Sequence, residues 1–448
     1  MKLPDLLATK AGRLSAFFAL YMTEGIPLGF TATAIATQMR REGLGPAEIG
    51  IFVGSLYAPW GLKWIAGPFV DVFSSDRWGR RRAWIIGTQI LMVLALLAAL
   101  PIDFTTQLGL FTWVIALHNC FCATQDVAID ALACNVLKED ERGLANGLMF
   151  AGASVGQALG GSGVLYLREY TSFPMTYYFV AAMILSVTIF IAVPLKEPKG
   201  PPRPRAAGSR MAAVGTELGT FIKSAAESMF LNRSALLGLF FAILPAGAYG
   251  LGLALSSNLS VELGMSDSNI ASLGLITNII GAAGCVIGGW LSDKLGRKRM
   301  LALFIASMSL PAFYLAWVMH RHGWIMPVDT QMADRPLPPQ VLLSAFWAMS
   351  MVYALCNGLM YGARSAMFMD ITNPAVAATQ FTAYMSLLNF GITYSGIWQG
   401  FAIERWGYPA TLTIDGLAGM LGLVLLPFIT PWKRPAPPPG PASAPAAG

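Results

Sequence analysis

Long apolar runs separated by short polar connections fill almost the whole chain, and their spacing predicts its architecture. A helix needs about 20 mostly apolar residues to cross a bilayer. Twelve runs qualify. The first six are Leu14–Thr37, Ile49–Val70, Ala83–Leu100, Leu108–Ala133, Gly143–Leu167 and Pro174–Leu195. The second six are Ala235–Ser257, Ile270–Leu291, Met300–Met319, Val341–Tyr361, Ala378–Phe401 and Pro409–Ile429. Backbone groups in lipid must be satisfied within their own segment, so each run is expected to be a helix. The expected fold is an all-α membrane protein of 12 transmembrane helices in two six-helix pseudo-repeats.

Lysine and arginine orient the runs, because they accumulate on the cytoplasmic side. With the N-terminus inside, the inner segments carry Arg77 and Arg80–Arg82, Lys138 and Arg142, a dense group from Lys196 to Arg233, and Lys294 with Arg297–Arg299. Outer segments keep only Arg40, Arg41, Arg168, Arg321, Arg335 and Arg405. Both termini are therefore expected in the cytoplasm. The domain reading follows: an N-terminal bundle (1–195), a cytoplasmic linker (196–233), a C-terminal bundle (234–431) and a disordered Pro/Ala-rich tail (432–448). The linker opens with Pro198, Pro201, Pro202 and Pro204, after which residues 214–230 form either a surface-lying amphipathic helix or a mobile connection.

Composition supports the membrane reading. The chain is 55% hydrophobic and only 12% charged, against roughly 25% charged in soluble domains. The net charge of +6 belongs to residues flanking the runs, so it does not signal nucleic acid. Cys120, Cys122, Cys134, Cys285 and Cys356 all sit in apolar runs and read as small apolar residues, so neither a disulfide framework nor a metal site is expected. No cofactor motif is present.

One signature occurs twice. Gly289-Trp-Leu-Ser-Asp293-Lys-Leu-Gly296-Arg297-Lys298-Arg299 follows run eight, and Gly67-Pro-Phe-Val-Asp71, then Asp76-Arg77-Trp-Gly79-Arg80-Arg81-Arg82, follows run two. A helix end, a carboxylate, a turn-forming glycine and a basic cluster recur in the same order. This resembles the loop motif of the major facilitator superfamily, which implies a latch between neighbouring helices in the outward-open state. The first copy departs by its 72–75 insertion, leaving Asp71 and Asp76 as alternative latch residues.

Further stretches are similar to one branch of that superfamily. They are Leu56-Tyr-Ala-Pro-Trp-Gly-Leu-Lys63 through Asp71, Gln125-Asp126-Val-Ala-Ile-Asp130, Asp140 to Gly147, and Thr372-Asn373-Pro374 with Ala378-Thr-Gln-Phe381. The branch contains the AmpG-type muropeptide permeases of Gram-negative bacteria and the eukaryotic acetyl-CoA transporters. The resemblance implies a monomeric permease of the bacterial inner membrane importing anhydro-muropeptides with protons. AmpG-type permeases often carry two extra helices, and none is found here.

Charges at membrane depth are the candidate chemistry, since each costs roughly 2.5–3.5 kcal/mol to insert and therefore faces a cavity or a partner. Glu24 sits near the middle of run one, either as a proton or substrate site or hydrogen-bonded to neighbouring helices. Asp126 and Asp130, four apart, share one helix face in run four beside Gln125. Asp126 fits the transport role better, and Asp130 fits an ion pair with Lys63 or with Arg80–Arg82. Arg364 either pairs across the bundles or obeys the positive-inside rule. His118 is a proton relay or a satisfied core histidine. Gln157, Asn278, Asn357, Asn389 and Gln399 offer amide donors and acceptors suited to sugar and peptide groups, or to interhelical contacts. Glycines spaced by four (Gly143/Gly147, Gly152/Gly156/Gly160, Gly284/Gly288, Gly396/Gly400) are expected to let the two bundles approach and rock.

Other classes fare worse. An intramembrane enzyme lacks a histidine pair for metal, a Gly-x-Ser-x-Gly and a phosphate loop. A membrane receptor lacks a signalling domain. Within transport, an exporter of drugs or metabolites is the remaining competitor to the muropeptide reading.

Overall fold

The computed structural model describes residues 5–73, 78–138, 142–198, 209–230, 232–332, 334–372 and 377–430. Regular structure among the described residues is helical throughout. In chain order the helices are α1 (Lys10–Gly29), α2 (Ala36–Arg41), α3 (Pro46–Ser55), α4 (Ala58–Gly61), α5 (Ala66–Val72), α6 (Arg82–Ala99), α7 (Leu108–Val136) and α8 (Arg142–Ala158). They continue as α9 (Val164–Arg168), α10 (Phe173–Val187), α11 (Arg210–Phe230), α12 (Arg233–Ile243), α13 (Ala254–Glu262), α14 (Asp267–Leu295), α15 (Arg297–Arg321), α16 (Gln340–Ile371) and α17 (Ala377–Gly419).

Seven described stretches are long and apolar enough to cross a membrane by length and composition, and one of them, Gln380–Phe428, covers two expected runs. The expected runs one, two, four and seven fall outside that set for a physical reason. The helices of runs one and four, α1 and α7, carry Arg13, Glu24, Gln125, Asp126 and Asp130. Runs two and seven are interrupted, contrary to the unbroken Ile49–Val70 and Ala235–Ser257 expected.

In run two, the chain leaves α3 at Ser55, restarts at Ala58 with Pro59 in the first turn, and changes again at Leu62. In run seven, Leu244 precedes Pro245 and is extended (φ −74, ψ 147), as the proline ring demands. Gly247 then takes φ +98, open to glycine at little cost. Its N–H is satisfied by the Gly419 carbonyl at 3.0 Å, and a Cβ on Gly419 would lie 2.2 Å from the Gly247 carbonyl carbon. Run one is irregular in a milder way: α1 holds Pro27 and passes into α2 through a π-helical turn, Phe30–Ile35. Runs eleven and twelve meet at Gly407 (φ 78, ψ 175), whose neighbour Tyr408 donates its N–H to the Ile325 carbonyl at 2.8 Å.

Packing between helices corrects part of the glycine reading. Gly152, Gly156 and Gly160 do not face the other bundle; a Cβ at each would meet backbone of α1 within 2.3 Å, so α8 and its π-helical extension lie against α1. Gly284 and Gly288 likewise press against Leu355–Leu359 of α16. Among these glycines that are described, only the Gly396/Gly400 pair joins the chain's two parts, against Pro46, Ala47, Gly50 and Gly54 of α3. Small residues let backbones approach, but spacing alone does not say which neighbour does so. Nothing lies within 4 Å of a Cβ on Gly147.

Of the two expectations for the linker, its described part is a helix. α11 lies against α5 and α17, with Trp64 stacked on Phe221 at 5.5 Å between ring centroids. The stretch 199–208 and the tail from 431 lie outside the described residues.

Candidate functional site

Three acids and one amine meet between α1, α7 and the broken second run. The Lys63 ammonium donates to Asp126 Oδ2 at 2.7 Å, and the Tyr21 hydroxyl donates to Asp130. Glu24 is buried close to Asp126 and Asp130, and its Oε1 has no partner among the described residues. Thr23 ties the cluster to its surroundings: its hydroxyl accepts from Gln125 at 2.7 Å and from Gln89 at 3.2 Å, and donates to the Leu20 carbonyl. The ion pair with Lys63 that was expected of Asp130 is made by Asp126. Arg81 and Arg82 turn instead to Asp71, Val70 and the carbonyls of Ala192 and Val193. Three carboxyls against one ammonium leave an excess of negative charge that protons can remove.

A second polar cluster surrounds the break before α13. Asp415 is buried, accepting the Gly250 N–H and the Gln399 amide, each at 2.7 Å. Arg364, also buried, donates to the Tyr249 hydroxyl at 3.1 Å and lies over the Tyr361 ring. Sequence reasoning missed Asp415 and Tyr249. An acid inside run twelve was visible, whereas the tyrosine becomes polar chemistry only because the helix opens beside it.

The remaining amides are dispersed. Asn389 donates to the Met385 carbonyl of its own helix at 3.0 Å. Gln157, Asn278 and Asn357 are half-buried; Gln157 packs its backbone against Gly25 and Gly29. His118 is fully buried, one ring nitrogen 2.8 Å from the Met92 carbonyl, outside both clusters.

The loop motif forms an ion pair in each copy. In the second, Arg297 Nη2 lies 3.1 Å from Asp293 while Nη1 reaches both Asp370 and the Ala366 carbonyl at the end of α16. Gly296 makes the turn with φ +98. In the first, Asp71 pairs with Arg81, the N–H groups of Arg81 and Arg82 donate to Glu197, and a Cβ on Gly79 would press on Glu197 and Arg82. Arg80 is half-buried, and a Cβ on Gly67 or Gly289 would meet nothing within 4 Å. Asp76 and Arg77 lie outside the described residues. Asp293→Ala is expected to slow initial uptake several-fold in vesicles with membrane insertion intact. Its exposed pair should contribute less than about 1 kcal/mol to stability. Unchanged uptake at equal protein level would reduce the motif to a topological charge signal.

Away from these loops, three of the six arginines expected in outer segments, Arg40, Arg41 and Arg168, pair with acids. Arg40 and Glu262 form an ion pair that is 4% and 0% exposed. Glu262 also accepts from the Tyr408 hydroxyl at 2.6 Å and the Val328 N–H at 3.1 Å. Arg41 and Arg168 share Asp267 at 2.7 and 3.7 Å. Loops expected on the same side of the bilayer thus meet one another, and these contacts join the first part of the chain to the second.

Comparison with known proteins agrees with this architecture. The Major Facilitator Superfamily profile matches residues 14–329. The anhydromuropeptide permease of Escherichia coli K12 is 26% identical over 431 residues, spanning 92% of this chain and 79% of that protein. The protein AmpG 4 of Rickettsia conorii is 27% identical over 318 residues, covering 69% of this chain and 74% of its own length. Among solved structures, a D-xylose–proton symporter superposes with a TM-score of 0.68 at 13% identity, covering 94% of this chain and 97% of that one. The nucleoside transporter NupG gives 0.66 at 13% identity, covering 94% and 99%. Helical architecture, repeated loop motif and matched profile agree: this chain belongs to the Major Facilitator Superfamily, as a multi-pass membrane transporter.

Proposed function

We propose that the chain imports anhydro-muropeptides together with protons across the bacterial inner membrane, as a monomer working by alternating access. In this reading twelve spans form two six-helix bundles, 1–195 and 234–431, joined by the 196–233 linker, with both termini in the cytoplasm. The carrying observation is the group of Glu24, Asp126, Asp130 and Lys63, with Glu24 and Asp126 buried, in a chain 26% identical to an anhydromuropeptide permease. Accumulation against a gradient needs a second ion moving downhill, and carboxyls that can be neutralised suit a proton. Proton uptake by the acid group and solute binding at the polar residues of the second cluster would each bias the equilibrium between inward- and outward-facing arrangements.

The test is counterflow in proteoliposomes loaded with unlabelled anhydro-muropeptide. Labelled substrate should enter transiently, and an unrelated hexose or nucleoside loaded at the same concentration should not drive it. Counterflow by a drug or simple metabolite, with none by the muropeptide, would instead favour the exporter reading.

A further inference from the structure

Arg364 is a buried cation without an ion-pair partner among the described residues. Its residue is 3% exposed, and no carboxylate lies within ion-pairing distance of it among the described residues. Asp415, close to the same tyrosines, is committed to the Gly250 N–H and the Gln399 amide. The guanidinium donates from Nη1 to Tyr249, rests on the Tyr361 ring at 5.2 Å, and keeps its Nε without a partner. A guanidinium presents five donors in a planar fork that matches a carboxylate. Burying it beside only a neutral phenol is costly, and an arriving anion removes that cost.

Its position fits a substrate-facing role. Tyr249 lies in the unwound stretch between α12 and α13, where backbone and side chains are released from helix geometry. Broken helices at membrane depth occur where the chain is buried in protein or lines a cavity. Tyr353 lies three helical turns before Arg364 on the same face of α16. Close to the Tyr353 hydroxyl lies Tyr57, from the break between α3 and α4 in the first part of the chain. Phenol rings beside a guanidinium suit a solute with sugar or amide faces and an acidic group.

We propose that Arg364, with Tyr249 and Tyr353, is an anion subsite that takes a carboxylate of the transported solute. The assignment deepens the proposed muropeptide import and rests on it for the identity of the solute, because a peptide stem carries free carboxylates.

The experiment measures thermal stabilisation of the purified full-length transporter by matched ligand pairs. One pair is an anhydro-muropeptide and its carboxamide; another is an N-acetyl dipeptide and its amide; inorganic phosphate is the third probe. Wild type should bind the acid about tenfold or more tightly than the amide. Arg364→Gln should lose that preference while keeping the affinity for the amide. Arg364→Lys, which retains charge without the planar fork, should keep part of the preference and covers the case in which the glutamine variant does not fold. If wild type ignores both muropeptides yet prefers the acid dipeptide in an Arg364-dependent way, the muropeptide reading fails and the subsite stands. The subsite is overturned if wild type shows no acid preference in either pair. It is overturned equally if the Arg364 variants retain the full preference, or if phosphate alone stabilises wild type.

Discussion

Glu262→Ala should open the outer end of the transporter. The substitution strands Arg40 in a buried site with only the Leu44 and Val328 carbonyls to accept from it. Breaking one side of a buried ion pair costs about 3–5 kcal/mol, mostly through the charge left behind. That cost falls on the arrangement in which α2 and α13 are in contact. An arrangement that separates them lets water reach Arg40, so the population shifts towards it by orders of magnitude. The readout is a cysteine at Ser260, a buried α13 position two residues before Glu262, in a background lacking the five native cysteines. An impermeant maleimide added from outside should label it at least tenfold faster in Glu262→Ala than in its parent. Arg40→Met combined with Glu262→Leu removes both charges at similar volume and should return labelling close to the parent rate. Equal labelling in the single variant and its parent would mean that the pair does not hold the outer end shut.

Much of this architecture was legible because bilayer physics leaves few options. Run three was expected at Ala83–Leu100 and is a helix at Arg82–Ala99. The repeated Gly/Asp/Gly/Arg order marked two loops that each contain an Asp–Arg pair. What composition could not reveal was which neighbour each group meets. Arg40, Arg41 and Arg168 counted as minor exceptions to charge segregation, yet each pairs with an acid of the chain's second part. Gly156 and Gly160 carried the right spacing and faced α1 instead of the opposite bundle. The seventh run read as unbroken because Pro245, Gly247, Gly250 and Gly252 hardly lower its hydropathy. Their backbone consequences are nevertheless what bring Tyr249 to Arg364. Glu24, Asp126 and Asp130 were visible as misplaced charges, but only the fold sets Lys63 against Asp126 and leaves a Glu24 oxygen bare.

Glu24→Gln should uncouple solute movement from the pH gradient. Glu24 touches no cation directly, so the amide replaces it without stranding a partner, and its nitrogen can donate where the protonated acid would. Asp126→Asn is a different case, because it strips Lys63 of its ion-pair partner and should lower stability and transport together. Each proton moved down one pH unit supplies about 1.4 kcal/mol, enough for a tenfold solute gradient. Wild-type proteoliposomes with one unit of inward-directed pH gradient should therefore accumulate solute about tenfold for each coupled proton. Glu24→Gln should equilibrate at a ratio near one while retaining most of its counterflow, since exchange carries no net proton. Adding Lys63→Met to Asp126→Asn removes the stranded charge, so recovery of exchange without recovery of accumulation would assign Asp126 to the same proton path. Accumulation by Glu24→Gln equal to wild type, in the same vesicles and under the same gradient, would exclude this carboxyl as the coupling group.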